Sequence, residues 1–187
     1  MTEKVAIQGT LGSFYDQAAR QYFGEDYSPL YNESFDEVFT VLDGGLVDYG
    51  LAAIHNTIHG PIAENEKLVD DFKHTIEVTG EVKLPIHFFL IGLPNSKLAD
   101  ICSIHSQYEA LRQCGNFFST LPEVKIVQES DTAGSVVLVK KWGDLTAAAV
   151  ASANAARIYD MKVLASNIED QPDNVTRFLV LQRIKRT

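Results

Sequence analysis

What most constrains the fold is one extended stretch from Ile76 to Gly92, reading Ile-Glu-Val-Thr-Gly-Glu-Val-Lys-Leu-Pro-Ile-His-Phe-Phe-Leu-Ile-Gly. It is too long for one average strand, and Gly80 and Pro85 interrupt it, so it reads as chain crossing from one lobe to another. A second constraint lies downstream: the apolar run Thr176 to Gln182 reads as a strand with no strand partner nearby in sequence. Such a strand returns to an earlier sheet and leaves what lies between the crossings as an insertion. The expected division is lobe 1 from residues 1–83 plus 166–187 and lobe 2 from residues 84–165, with a cleft where the crossings meet.

Elsewhere short β-rich runs alternate with segments of helical period, the pattern of an α/β fold with a largely parallel sheet. Val5-Ala6-Ile7 reads as a strand ending at Gly9 and Gly12, with Ser13 capping a helix to about Phe23. Ser34 and Glu37 predict a capping box for a helix closed by Gly44-Gly45, and a strand follows at Tyr49 to Ile54. In the second lobe, strands are expected at Ile101 to His105, Val124 to Gln128, Ala147 to Ala151 and Met161 to Ser166. Helices are expected from Tyr108 to Phe118, from Thr132 to Trp142 and up to Tyr159. Ser106 reads as N-cap of the Tyr108 helix with Glu109 as its box partner, which puts Gln113 and Cys114 near that helix's middle.

Composition narrows the partners. The 187 residues carry 16 Lys and Arg against 25 Asp and Glu, a net charge of -9, which argues against a nucleic-acid backbone or an anionic membrane. A small anionic ligand is compatible with that charge if a cation is placed locally. Cys102 and Cys114 make no disulfide framework or metal-ligand spacing, which fits a reducing cytoplasm. No signal segment opens the chain at Met1 to Lys4 and no apolar run is long enough to span a bilayer, so a protein neither exported nor membrane-spanning is expected. His55 and His59 would pair on a metal only within a helix, which a strand-to-loop context does not supply, so no metal is expected.

Two stretches carry polar groups where α/β sheets place their ligands. Asn56-Thr57-Ile58-His59-Gly60 follows the carboxyl end of the third strand; its plain alternative is an Asn/Thr/Gly turn. Asn174-Val175-Thr176-Arg177-Phe178 sets an amide, a hydroxyl and a guanidinium at the head of a strand with an apolar interior. Arg177 is the expected anion anchor, since a guanidinium grips a carboxylate in a bidentate fork. Period two puts Thr176 and Phe178 on one face and Arg177 on the other, so Thr176 and Arg177 meet one ligand only if the strand starts irregularly. Cys114, with no basic cluster nearby, reads as a small buried hydrophobe, and Asp131 to Ser135 as a plain N-cap.

Taken in order, these segments resemble the catalytic domain of prephenate dehydratase over nearly the whole chain. Gly9 to Phe14 resembles its Gly-Pro-x-Gly-Thr-Phe, with Thr10 for Pro and Ser13 for Thr. Asn56-Thr57-x-x-Gly60 resembles Glu-Asn-Ser-x-x-Gly, Ser106 with Gln113-Cys114 its Ser…Gln-Cys, and Thr132-Ala133 its Ser-Thr-Ala. The most specific match is Asn167-Ile168-x-Asp170 followed by Asn174-x-Thr176-Arg177-Phe178. The resemblance implies a two-lobed fold like type II periplasmic binding proteins, with the active site in the cleft. It also implies a carbon–oxygen lyase converting prephenate to phenylpyruvate in L-phenylalanine biosynthesis, homodimeric and without metal or organic cofactor.

By the same resemblance Thr176 bonds the leaving hydroxyl, Arg177 holds a substrate carboxylate and Phe178 shapes the ring pocket. Asn56, Thr57, Gly60, Ser106, Gln113, Thr132, Ala133 and Asn174 bind substrate. Three positions depart from the family: His55 and His59 stand where it has acidic residues, and Ala53 where it has proline. Two potential negative charges become groups that titrate near neutrality, which makes His55 and His59 candidates for an altered acid/base role. Arogenate as substrate, decarboxylation without aromatisation, and a non-catalytic module that binds an aromatic or keto acid are the competing readings. The sequence stops at Thr187, so the resemblance implies a form without the C-terminal ACT domain and its phenylalanine feedback.

Overall fold

A computed structural model describes residues 2–184, which divide into two units with a sheet each. Of the described residues, the first takes 2–10, Phe14–Pro85 and 173–184; the second takes Leu11–Ser13 and Ile86–Pro172.

The first unit contains β1 (Glu3–Gln8), α1 (Phe14–Phe23), β2 (Tyr27–Asn32), α2 (Phe35–Asp43), β3 (Tyr49–Asn56), β4 (Gly60–Pro61), α3 (Ala63–Asp71), β5 (Ile76–Pro85) and β11 (Val175–Arg183). Its strand order is β2-β1-β3-β11-β5, with β4 added to β3. The late strand does return to the first sheet, between β3 and β5. The sheet is not largely parallel, however: β1 is parallel to β2 and β3, whereas β11 is antiparallel to both its neighbours. The cause is the insertion. Chain leaves at Pro85 and resumes at Val175, which are register partners, so β5 and β11 close like the arms of a hairpin and must run antiparallel.

Helix α2 shows how local chemistry sets these elements. Ser34 Oγ accepts the Glu37 amide at 3.3 Å, while the Glu37 carboxylate reaches the amide of Glu33 at 2.8 Å, so the reciprocal half of the box falls one residue early. At the other end Gly45 takes φ 73° and returns its N–H to Leu42 O at 3.0 Å. Between the caps, Val38, Phe39 and Leu42 pack on Ala6, Ala52 and Leu181. Helix α1 is anchored by Asp16, fully buried, which accepts from the hydroxyls of Tyr27 and Tyr31 and from Arg20 Nε. A buried carboxylate is tolerated only when paired and hydrogen-bonded in this way.

The second unit contains β6 (Phe89–Gly92), β7 (Ser103–Gln107), α4 (Tyr108–Arg112), α5 (Gly115–Ser119), β8 (Lys125–Glu129), α6 (Thr132–Trp142), β9 (Ala147–Ala151), α7 (Ala153–Ile158) and β10 (Lys162–Ser166). The order is β10-β6-β9-β7-β8, with β6 antiparallel to β10 and β9, and β7 parallel to β8 and β9. Strand β9 is wholly buried and made of small residues, which lets Val136 and Val139 of α6 pack on Ala147, Ala149 and Ala151.

Two expectations fail in this unit. The helix read from Tyr108 to Phe118 is two helices, α4 and α5, broken at Gln113 and Cys114. The break is fixed from far away: the Asp170 carboxylate accepts the Gly115 and Asn116 amides at 3.1 and 2.9 Å, starting α5 afresh. Nor is Ser106 an N-cap. It belongs to β7, pairs with Gln128, and donates to Val150 O at 2.6 Å, while Gln107 takes the cap position of α4. Strand pairing outweighs the local Ser-x-x-Glu signal. Among the described residues no helix is long and apolar enough to cross a membrane.

Candidate active site

The pairing of β3 and β11 sets Asn56 directly opposite Thr176, and the hydrogen bonds there leave one assignment of the Asn56 amide. Its Oδ1 accepts the backbone N–H groups of Ile58 at 2.9 Å and His59 at 3.1 Å. A backbone amide can only donate, so the oxygen must lie on that side and Nδ2 on the other. Nδ2 donates to Asn174 Oδ1 at 2.7 Å and to Thr176 Oγ1 at 2.9 Å. Thr176 therefore receives a proton from Asn56, and its own hydroxyl proton points elsewhere. No group among the described residues accepts it. Asn56, Asn174 and Thr176 are all buried, so the donor is held ready where hydrogen bonds are electrostatically strong.

Thr57 stitches the loop after β3 to the start of β11. Its hydroxyl donates to Asp173 O at 2.8 Å and accepts the Val175 amide at 2.9 Å, while its own N–H reaches Val175 O at 3.0 Å. Gly60, at φ 78°, occupies the left-handed region that a turn into β4 requires. Phe178 is 1% exposed and meets Tyr15 of α1 edge-on at 4.9 Å, under the Thr176 side of the sheet. Burying such a ring is worth about 1.5–3 kcal/mol, which fixes α1 against β11. Burial pushes the Tyr15 phenol above its ordinary value, against hydrogen bonds with the Ala53 backbone and the Asn65 side chain. Asn65, fully buried on α3, also donates to Ala53 O at 2.7 Å. Tyr15 and Asn65 had no motif to announce them.

Arg177 stands opposite His55, on the other face from Thr176. The register irregularity falls between Arg177 and Phe178, after Thr176 instead of before it, so the irregular start that would let Thr176 and Arg177 share one ligand is absent. Thr176 stays in regular pairing with Asn56 and Leu84. The Arg177 guanidinium contacts Glu81 at 3.3 Å, with both side chains substantially exposed. His55 is half-buried beside Arg177, and His59 is exposed, its backbone serving Asn56.

The remaining candidates lie in the second unit. Ser106 is fully buried with its proton committed to Val150 O, and Gln113 Nε2 donates to Glu109 O at 3.0 Å. Thr132 and Ala133 open α6, where Asp131 already takes the amides of Ala133 and Gly134 at 3.0 and 2.9 Å. Cys114 is buried; burial first, then Asp170 and Glu169, push its thiol far above the ordinary range, which makes it a poor nucleophile. Among the described residues no group of His, Cys, Asp and Glu could hold a metal ion.

Comparison with known proteins adds a lineage to this geometry. The family model described as prephenate dehydratase matches residues 5–186. Arogenate dehydratase 2 of Petunia hybrida is 37% identical over 96% of this chain and 45% of its own length. Two solved structures align over 98% of the chain. One, of a prephenate dehydratase from Arthrobacter aurescens in complex with L-Phe, has a TM-score of 0.88 at 26% identity and is covered over 63% of its length. The other, of GqqA, described as a novel type of quorum quenching acylases, has a TM-score of 0.85 at 30% identity and is covered over 65%. The fold alone extends to the methionine binding protein MetQ, at a TM-score of 0.51 and 11% identity. The chain spans about half the length of the curated relatives it matches. By the family model and by the Asn56, Asn174 and Thr176 cluster that its motifs fold into, the chain belongs to the prephenate dehydratase family.

Proposed function

We propose that the chain catalyses the decarboxylating dehydration of prephenate to phenylpyruvate, with Thr176 as the group that assists departure of the ring hydroxyl. The observation that carries this reading is the one-way hydrogen bond from Asn56 into Thr176, which leaves the threonine proton free to be given. In the reaction the ring carboxylate leaves as carbon dioxide, its bonding electrons form the new ring double bond, and the hydroxyl leaves with its C–O electron pair. Aromaticity drives the step. The protein supplies an oriented donor to the oxygen as charge builds on it, the kind of preorganised bond that contributes most in a site poor in water.

To serve as the proposed partner of a carboxylate on the same substrate, Arg177 has to leave Glu81 and come round the start of β11, because its regular pairing puts it on the face away from Thr176. His55, the register partner of Arg177, is proposed to act with it at the carboxylate and not at the leaving oxygen. Asn174, Thr57 and Gly60 shape the donor's surroundings; Ser106, Gln113, Thr132 and Ala133 are the proposed contribution of the second unit. A homodimer in a reducing cytoplasm accompanies this reading, supported by the family resemblance and by two cysteines that stay free. The Petunia relative's name favours arogenate as the second substrate to try.

The test is proton NMR of prephenate with wild-type protein, with Thr176→Val and with no enzyme, since the acid-labile substrate also converts spontaneously. Phenylpyruvate formed rapidly by wild type alone supports the proposal. A non-aromatic product, or equal rates in the variant, overturns it.

A further inference from the structure

Ser103, His105 and Glu129 form a connected row on one face of the second unit's sheet. Ser103 and His105 are two apart on β7 and project from the same face, and Glu129, paired with Gln107, sits one step along that face on β8. His105 Nε2 lies 3.0 Å from Ser103 Oγ, and Nδ1 lies 2.9 Å from Glu129 Oε1. A carboxylate only accepts, so in the neutral ring Nδ1 carries the proton and Nε2 presents its lone pair to the serine hydroxyl. The nitrogen facing the hydroxyl and the nitrogen facing the acid are those of the serine-hydrolase arrangement, which is recognised by such roles and not by chain order.

The surroundings suit the same chemistry. His105 is 8% exposed and meets Trp142 edge-on at 4.8 Å, so the imidazole is held in one orientation by two hydrogen bonds and a ring contact. Ser103 is half-buried, and Trp142, 48% exposed and against His105, offers an apolar wall to an incoming chain. Lys125 is the register partner of Ser103 and exposed, which places a cation next to the nucleophile. None of these residues has a part in the reading above.

We propose that Ser103, His105 and Glu129 are a second active centre, one that hydrolyses uncharged esters with an apolar acyl group. Ser103 Oγ forms a bond to the acyl carbon as its proton passes to His105 Nε2. The carbonyl electrons move onto oxygen beside Lys125, then return and expel the alcohol oxygen, which leaves with the proton from His105. Water repeats the sequence: it gives a proton to His105 and attacks the acyl carbon, and Ser103 departs with that proton. The sum is ester plus water to acid plus alcohol.

The experiment measures hydrolysis of p-nitrophenyl hexanoate by the full chain, and labelling by a fluorophosphonate located by peptide mass spectrometry. Wild type should hydrolyse the ester and carry one label, on Ser103. Ser103→Ala should lose the label and at least about 10²-fold of kcat/KM, the share a positioned base and its nucleophile supply, with melting temperature and prephenate turnover unchanged. Glu129→Gln should slow hydrolysis while leaving Ser103 in place. Ester hydrolysis equal in wild type and Ser103→Ala, or a label absent or on another residue, overturns the proposal.

Discussion

Replacing Asn56 by Asp tests the direction of the hydrogen bond on which the proposed reaction depends. The substitution is isosteric, and one carboxylate oxygen keeps accepting the amides of Ile58 and His59. The other oxygen takes the place of Nδ2, 2.9 Å from Thr176 Oγ1. Two acceptors repel, so the threonine hydroxyl turns and donates to residue 56, and its proton is withdrawn from the substrate. Losing one preorganised donor costs about 10²–10³ in kcat, or about 2.7–4 kcal/mol. Folding suffers as well, because the new oxygen also faces Asn174 Oδ1, to which Nδ2 donated at 2.7 Å; a loss of about 3 kcal/mol or more is expected for the incompletely paired buried charge. Asn56→Ala is the contrast: it orphans buried partners but leaves the threonine proton free, so its kcat should fall less than that of the Asp variant. Steady-state phenylpyruvate formation, corrected for the folded fraction, separates kcat from KM. Wild-type kcat in Asn56→Asp, or a larger kcat loss in Asn56→Ala, would refute the directional argument.

Three further outcomes are expected. Glu81→Gln should free Arg177 and lower KM for prephenate about two- to fivefold, the scale of an exposed ion pair, with kcat unchanged; an unaltered KM would reduce Arg177 to a strand-face charge. Iodoacetamide should modify one cysteine in the native protein, exposed Cys102, and two in denaturant, because Cys114 is buried with its thiol pushed up; two equivalents in the native state would contradict that. The Asp144 carboxyl is held below its ordinary value by the Thr146 amide and hydroxyl, so the stability it adds is present above the unfolded value near 3.8 and vanishes as pH falls through the lower folded value. Asp144→Ala should therefore melt below wild type at pH 7, and the gap should close on acidification below about 4; a gap constant with pH would exclude this linkage.

Some of this molecule was legible in its residues and some was not, for identifiable reasons. The bounds of α6 and β9 match expectation because each is set locally, by Asp131 and Gly143 in one case and by an unbroken run of small apolar residues in the other. The return of β11 was legible because a strand without a neighbour must find one. The break at Gln113 was not, since the acid that restarts the helix lies 55 residues from the amide it caps. Helix α3 went unread, and with it Asn65. Within the site, residue types were legible from motif likeness, but the sense of the Asn56 amide follows only from two backbone N–H groups brought beneath it.

Strand β11 is the last of the described strands to leave the ribosome, and it pairs with β3 on one side and β5 on the other. Asn56 and Thr176 are 120 positions apart in the chain. At about 5–20 residues per second, on the order of ten seconds of translation separates the end of β5 from the arrival of β11. During that interval the chain from Ile86 to Pro172 is contiguous and complete enough to fold, whereas β3 and β5 wait with open edges that invite association with other chains. A prematurely released chain thus carries a finished second unit and an unfinished first one. It lacks the proposed proton donor to the ring hydroxyl altogether, so truncated products would be a burden for quality control and no source of prephenate turnover.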